Sequence, residues 1–208
     1  MEQKIKERPI LFNAEMVRAI LAGKKTQTRR ALKSQENYLS WNCATRVFES
    51  DYLRGFLPGS DESSFVLQEN CGELVDSKWQ PVSCPLGKIG DQLWGREAFS
   101  AMGNNEGHAL PIFYRADGDD GLKWTPSIHM PRWASRMQLE ITNIRLERLR
   151  SISEQDALAE GVTQRQITDS VTSMAYSEFK NLWCNTYSGD NWDQNPWVWV
   201  IEFKRIAP

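Results

Sequence analysis

The sequence predicts an α+β fold, a small mixed β-barrel with helices packed outside it. Three observations carry the expectation: strand-like runs split by short helices, a central strand whose alternation changes phase, and a strong final strand. A length of 208 residues suits one domain, 1–208, interrupted by long insertions at about 34–87 and 100–135. No internal repeat is visible along the chain.

The first element is a short strand from Pro9 to Phe12, followed by Asn13 in the position of a helix N-cap. Met16, Val17, Ile20 and Leu21 then fall on one helical face, and Gly23 is a natural C-terminal stop. From about Ser34 to Pro85 periodicity is weak and turn formers abound, as in LPGSDESS, which predicts an irregular insertion. Order returns in GKIGDQLWGREAFS, where a Gly90-Asp91 turn opens a strand in which Leu93, Gly95, Glu97 and Phe99 alternate with Trp94, Arg96 and Ala98. LPIFYRAD reads as another strand. A Pro-punctuated, aromatic loop from Gly118 to Ser135 carries His129, Arg132 and Trp133, and long loops of this kind often line sites.

Met137, Leu139 and Ile141 recur at period two, whereas Ile144 and Leu146 fall in the shifted phase, so a bulge is expected near Thr142 and Asn143. Ser153 and Asp156 are set as a capping pair for a short helix that ends at Glu160 and Gly161. A longer helix over about 170–186 places Val171, Met174, Phe179, Leu182 and Trp183 on one face. The closing strand, NPWVWVIEFKRI, points Trp197, Trp199, Ile201 and Phe203 one way.

Hydrophobic residues at 40% and charged residues at 25% fit a packed core rather than disorder. A net charge of only −2 excludes a protein coated in positive charge, so any basic site is local. Residues 1–30 hold Lys4, Lys6, Arg8, Arg18, Lys24, Lys25, Arg29 and Arg30 against Glu2, Glu7 and Glu15; a milder excess follows in Arg132, Arg136, Arg145, Arg148 and Arg150. If the fold brings the two segments together they form one anion-attracting face; otherwise they are ordinary solvated surface. Cys43, Cys71, Cys84 and Cys184 form no C-x-x-C pair and only His108 and His129 are available beside them, so reduced thiols, no metal and no cofactor are expected. MEQKIKERPILF has no apolar signal core and no window approaches a membrane span, which points to the cytoplasm.

The stretch LAGKKTQTRR has a chemical reading. If the chain is extended after Gly23, residues two apart share a face, so Thr28 and Arg30 point together and Lys25 swings toward them from the loop. A hydroxyl beside a lysine with a depressed pKa is an activated nucleophile, and an arginine fork binds a phosphate, carbonyl or carboxylate. Taken alone, Lys25 would be an exposed loop lysine. Trp94, Trp124 and Trp133 have the faces to stack a base, Trp133 most of all because His129 and Arg132 lie near it, although in a chain with nine tryptophans core packing is the ordinary explanation for each. His129 adds a candidate proton donor.

Gly23, Lys25, Thr28 and Arg30 spell a G-x-K-x-x-T-x-R run after the first helix, and with GDQLWGRE, AEG and WVWVIEFKRI in order the chain resembles the ASCH family of small PUA-like β-barrels associated with RNA or modified nucleosides. The resemblance covers roughly residues 8–33, 88–99 and 136–206. CPLGKIGDQLW and PSIHMPRWASR are similar to a longer, phage- and prophage-associated subgroup. Some compact members are amidohydrolases that deacetylate N4-acetylcytidine with a lysine, a threonine and a glutamate. The resemblance implies Lys25, Thr28 and Glu160 for those roles and puts the signature glycine and arginine at Gly23 and Arg30; these two, with Trp94, His129, Arg132 and Trp133 from the residue reading, are the candidate substrate-binding residues. It implies a modified nucleoside or single-stranded RNA as partner and no metal. A binding module without chemistry and a metal-independent ribonuclease are the alternatives, because activity does not follow from fold. On its own, a glutamate before a helix-ending glycine is ordinarily a solvated residue.

Overall fold

The computed structural model describes residues 5–32, 64–68, 79–101, 111–118, 121–162 and 175–206. The chain is α+β. Strands β1 (Glu7–Leu11), β2 (Gln27–Ala31), β5 (Gln92–Arg96), β8 (Gln138–Arg148) and β9 (Trp197–Ile206) form a mixed sheet in the order β1-β5-β8-β9-β2. β1 runs parallel to β5, and the other neighbours are antiparallel. Two antiparallel pairs lie outside this sheet: β3 (Ser64–Gln68) with β4 (Trp79–Ser83), and β6 (Phe99–Ala101) with β7 (Ile112–Tyr114). The helices are α1 (Ala14–Leu21), α2 (Glu154–Ala159), α3 (Ala175–Tyr187) and α4 (Gly189–Asp193).

β1 and β2 are the two edges of the five-stranded sheet and share no ladder. A side chain spans them instead: the Arg30 guanidinium donates to the Leu11 carbonyl at 2.8 Å and lies over the Phe12 ring. α1 sits between these edges in sequence. The Asn13 side chain accepts from Met16 N at 2.8 Å, which supplies the expected cap, and Val17 and Ile20 are buried. Burial of each such side chain contributes roughly 1.5–3 kcal/mol.

β9 departs from the one-faced strand that its alternation predicts. Trp197, Trp199, Ile201 and Phe203 enter the core shared with α1, β5 and β8, but Val198 and Val200 are equally buried in a second core with Phe179, Trp183 and Trp192 from the helices. With apolar layers on both faces, the strand reads as a continuous hydrophobic run because neither side meets water. The β8 bulge falls between Ile141 and Asn143, where alternation changes phase.

Two other expectations change, and a third lies partly outside the described residues. The insertion at 34–87 is not wholly irregular, since it contains the β3–β4 ladder. The strand expected through Phe99 stops at Arg96; the Glu97 carboxylate is gripped by the Arg136 fork, and Phe99 then pairs with Tyr114 and Thr125. The third helix is described from Ala175 onward, so Val171 and Met174 lie outside the described residues, as do Cys43, Cys71 and His108. Cys84 and Cys184 are free thiols. Among the described residues no helix is long and apolar enough to cross a membrane, and no group of three His, Cys, Asp or Glu side chains is placed to hold a metal ion.

Candidate functional site

The turn after α1 aims Lys25 inward. Gly23 takes φ +69, and the backbone N–H groups of Lys24 and Lys25 both donate to the Ala19 carbonyl, closing the helix end. Thr26 N donates to Ala159 O at 2.9 Å, and Phe203 N donates to Thr26 O at 2.8 Å, so the segment is held between the end of α2 and the sheet. Thr26 is left exposed and Lys25 is 2% exposed.

Ser153 caps α2 through Asp156 N, and the helix ends at Glu160, whose side chain turns back into the protein. Gly161 follows at φ +89. A Cβ there would lie 2.8 Å from that of Ala19 and 2.9 Å from that of Lys25, so only glycine allows α2 to close this tightly on α1.

The two ends meet in a buried ion pair. Lys25 Nζ donates to Glu160 Oε2 at 2.7 Å and to the Glu160 carbonyl at 2.9 Å. Arg29 supplies the other half of the grip, donating from a terminal nitrogen to Glu160 Oε1 at 3.1 Å. Burial, which penalises the ammonium form, is the largest influence on Lys25 and holds its pKa below the usual lysine range; Glu160 opposes that fall, and the Arg30 and Arg29 charges add to it.

Thr28 is fully buried, yet its hydroxyl has no hydrogen-bond partner. The expected Lys25–Thr28 contact is therefore not made. The reason is strand parity. Gln27 and Arg29 face α2 and the second core, whereas Thr28 and Arg30 face the first core, opposite Ile201 and Trp199. Lys25 reaches toward Arg29 and Glu160. Arg30 shares Thr28's side as expected, but its fork is engaged by the Arg29 and Leu11 carbonyls.

The remaining candidates stand apart from Lys25. Trp94 is buried in β5 under the Arg96 guanidinium. His129 is exposed in a 3-10 turn over Ser127–His129; Trp133 is exposed, and Arg132 pairs with Glu7 of β1, at the sheet edge opposite β2. The second basic segment does not present an open cationic face. Arg136 is bound by Glu97 and Asp117, Arg145 by Glu147, Asp156 and Glu202, and Arg148 stacks on Trp197.

A cavity of about 620 Å³ opens between α1, α3 and the 160–162 turn. Glu160 forms part of its wall, with Glu15, Arg18, Lys24, Glu178 and Asn181 around it. A smaller crevice beside it brings Arg29, Arg30 and Glu160 against Phe179. Sequence reasoning missed Arg29, together with Gln27 and Asp156. The signal was present: Lys25, Gln27 and Arg29 alternate along one strand face, and Asp156 and Glu160 lie one turn apart on the helix that covers it.

Comparison with protein-family models, with characterised proteins and with solved structures finds no match to this chain.

Proposed function

We propose that this chain is an ASCH-type, PUA-like protein that recognises a modified nucleoside and hydrolyses the acylated exocyclic amine of a cytosine base. The open five-stranded sheet, with its edges drawn together by Arg30, is then a variant of the small barrel. The observation that carries the reading is the buried Lys25–Glu160 pair, made across 135 residues of chain at the wall of a cavity of small-molecule size. The depressed Lys25 pKa favours a base, and the partnerless Thr28 hydroxyl is a candidate for the attacking group or for orienting a water.

Water is the co-reactant that balances the steps. Neutral Lys25 takes the proton from the attacking oxygen as the C–O bond forms at the amide carbon. The carbonyl reforms, the C–N bond breaks, and the Lys25–Glu160 pair returns the proton to the leaving cytosine amine. With Thr28 as nucleophile an acyl-enzyme forms, and water releases the acid. In either case Lys25 must exchange its contact with the Glu160 carbonyl for one with the nucleophile, and Thr28, which faces the first core, must also turn to the Lys25 side of β2 before it can attack.

A second reading, ligand binding without chemistry, draws on the complete closure of Lys25 and Thr28 and on the Lys25 donors already engaged. Ribonuclease action through Lys25, Arg30 and His129 has less support, since His129 is in the 127–129 turn and the Arg30 fork is occupied. Incubation of the protein with N4-acetylcytidine in the presence of chelator, followed chromatographically, separates the two leading readings. Release of cytidine and acetate is expected, with a loss of at least about a hundredfold in Lys25→Gln and in Thr28→Ala. No release by wild-type protein, or full rate in Thr28→Ala and Lys25→Gln together, refutes hydrolysis at this site.

A further inference from the structure

We propose that Arg29 is the positioning residue of this site: its guanidinium fixes the Glu160 carboxylate with Oε2 turned to Lys25. The inference deepens the reading of Lys25 and Glu160 as the reacting pair, but one of its tests needs no turnover.

The Arg29 side chain is wholly buried and lies over the Phe179 ring at 5.8 Å. Its terminal nitrogens address three carboxylates: Glu160 at 3.1 Å, Glu147 of β8 at 3.2 Å and Asp156 of α2 at 3.4 Å. Two of these have a second arginine, because Arg145 also binds Glu147 and Asp156. Glu160 shares no contact with Arg145. Its cations are Lys25 on one oxygen and Arg29 on the other, so Arg29 sets which oxygen Lys25 meets.

A planar fork is suited to the task, since one terminal nitrogen meets Glu160 while the other is held by Glu147 and Asp156, a fixed division that a lysine ammonium does not reproduce. The position is also rigid. β2 is laddered to β9 with Arg29 opposite Val200, and packing beneath the guanidinium is apolar. An uncompensated cation at this depth would be costly, so the arrangement holds only with the carboxylates ionised around it. Other charged groups facing the trio are Arg30 on β2, Arg145 on β8 and, across the cavity, Glu178 of α3 with Glu15, Arg18 and Lys24 at α1.

Two variants separate positioning from mere structural support. Arg29→Gln removes a charge that depresses the Lys25 pKa, so the affinity of Lys25 for its proton rises; kcat on N4-acetylcytidine falls at least about tenfold with little change in KM, and the optimum moves up by about one pH unit. Arg29→Lys keeps the charge and loses the fork, so kcat falls by a similar factor while the optimum stays. An unmoved optimum in Arg29→Gln, or full kcat in Arg29→Lys, overturns the proposal; if Arg29→Gln does not fold, Arg29→Lys decides alone.

The second test follows the Lys25 ammonium by NMR in isotope-labelled protein, its signal assigned by loss in Lys25→Gln. Its midpoint rises by about one pH unit in Arg29→Gln and holds in Arg29→Lys. An unchanged midpoint in Arg29→Gln overturns the inference even if wild-type protein turns over substrate. A shifted midpoint without turnover upholds the Arg29 role and refutes hydrolysis.

Discussion

A lysine without solvent contact is a thermodynamic cost unless its charge is answered, and Lys25 is answered by one carboxylate and one carbonyl. Breaking such a pair by removing one partner costs about 3–5 kcal/mol, so Lys25→Met is expected to lower stability by that amount in urea unfolding near neutral pH. The pH dependence has a defined sign. The folded pKa of Lys25 lies below the ordinary lysine value of about 10.4, so between the two the unfolded chain binds more protons and stability rises with pH. That rise should be missing from Lys25→Met. The residue pattern of LAGKKTQTRR was enough to single out Lys25 and, through the resemblance, Glu160. Its alternation put Arg29 on the face of Lys25 but did not by itself select it over Arg30, because only the position of α2 decides which of the two faces a carboxylate.

Gly23 and Gly161 end two short helices with similar positive φ, at +69 and +89, but their surroundings differ. Gly23 has open space where a Cβ would go, so Gly23→Ala bears only the backbone cost of roughly 1–2 kcal/mol. Gly161→Ala adds a collision with Ala19 and Lys25 and should lose more than about 3 kcal/mol, with Glu160 displaced from Lys25. Comparing the melting temperatures of the two variants tests this; equal losses would show that backbone conformation alone matters. Most elements were legible at this scale, α1 through its Asn13 cap and β8 through its change of phase. The division of 92–101 into two strands was not. Alternation continues through Glu97, and what interrupts the strand is the Arg136 fork, contributed from 39 residues away.

Across the whole molecule, two carboxylates pull acid stability in opposite directions. Burial raises the Asp156 pKa, but hydrogen bonds from Ser153 and Gln27 and the Arg29 and Arg145 charges outweigh it and leave the folded value depressed. Its contribution is complete above the unfolded value of about 3.9 and is lost as pH falls through the lower folded value. Glu97 has the reverse sign. Burial outweighs the Arg136 fork, its folded pKa is raised, and its contribution, complete below about 4.3, fades as pH rises through the folded value. In thermal melts across this range Asp156→Asn should flatten the acid limb and Glu97→Gln the opposite one. The α+β class was visible in the alternating pattern, whereas the open edges were not, since sequence periodicity says which face a strand buries and not whether the first and last strands meet. Strand β2 also carries a kinetic consequence. Among the described residues its ladder is with β9, Thr28 opposite Ile201, so a strand far along the chain must be synthesised and looped back before Lys25 is walled in. Pairings of such long range are slow to form. During that interval the basic stretch next to β2 stays open to polyanions and to chaperones, and its exposure to protease should mark the age of the newly made protein.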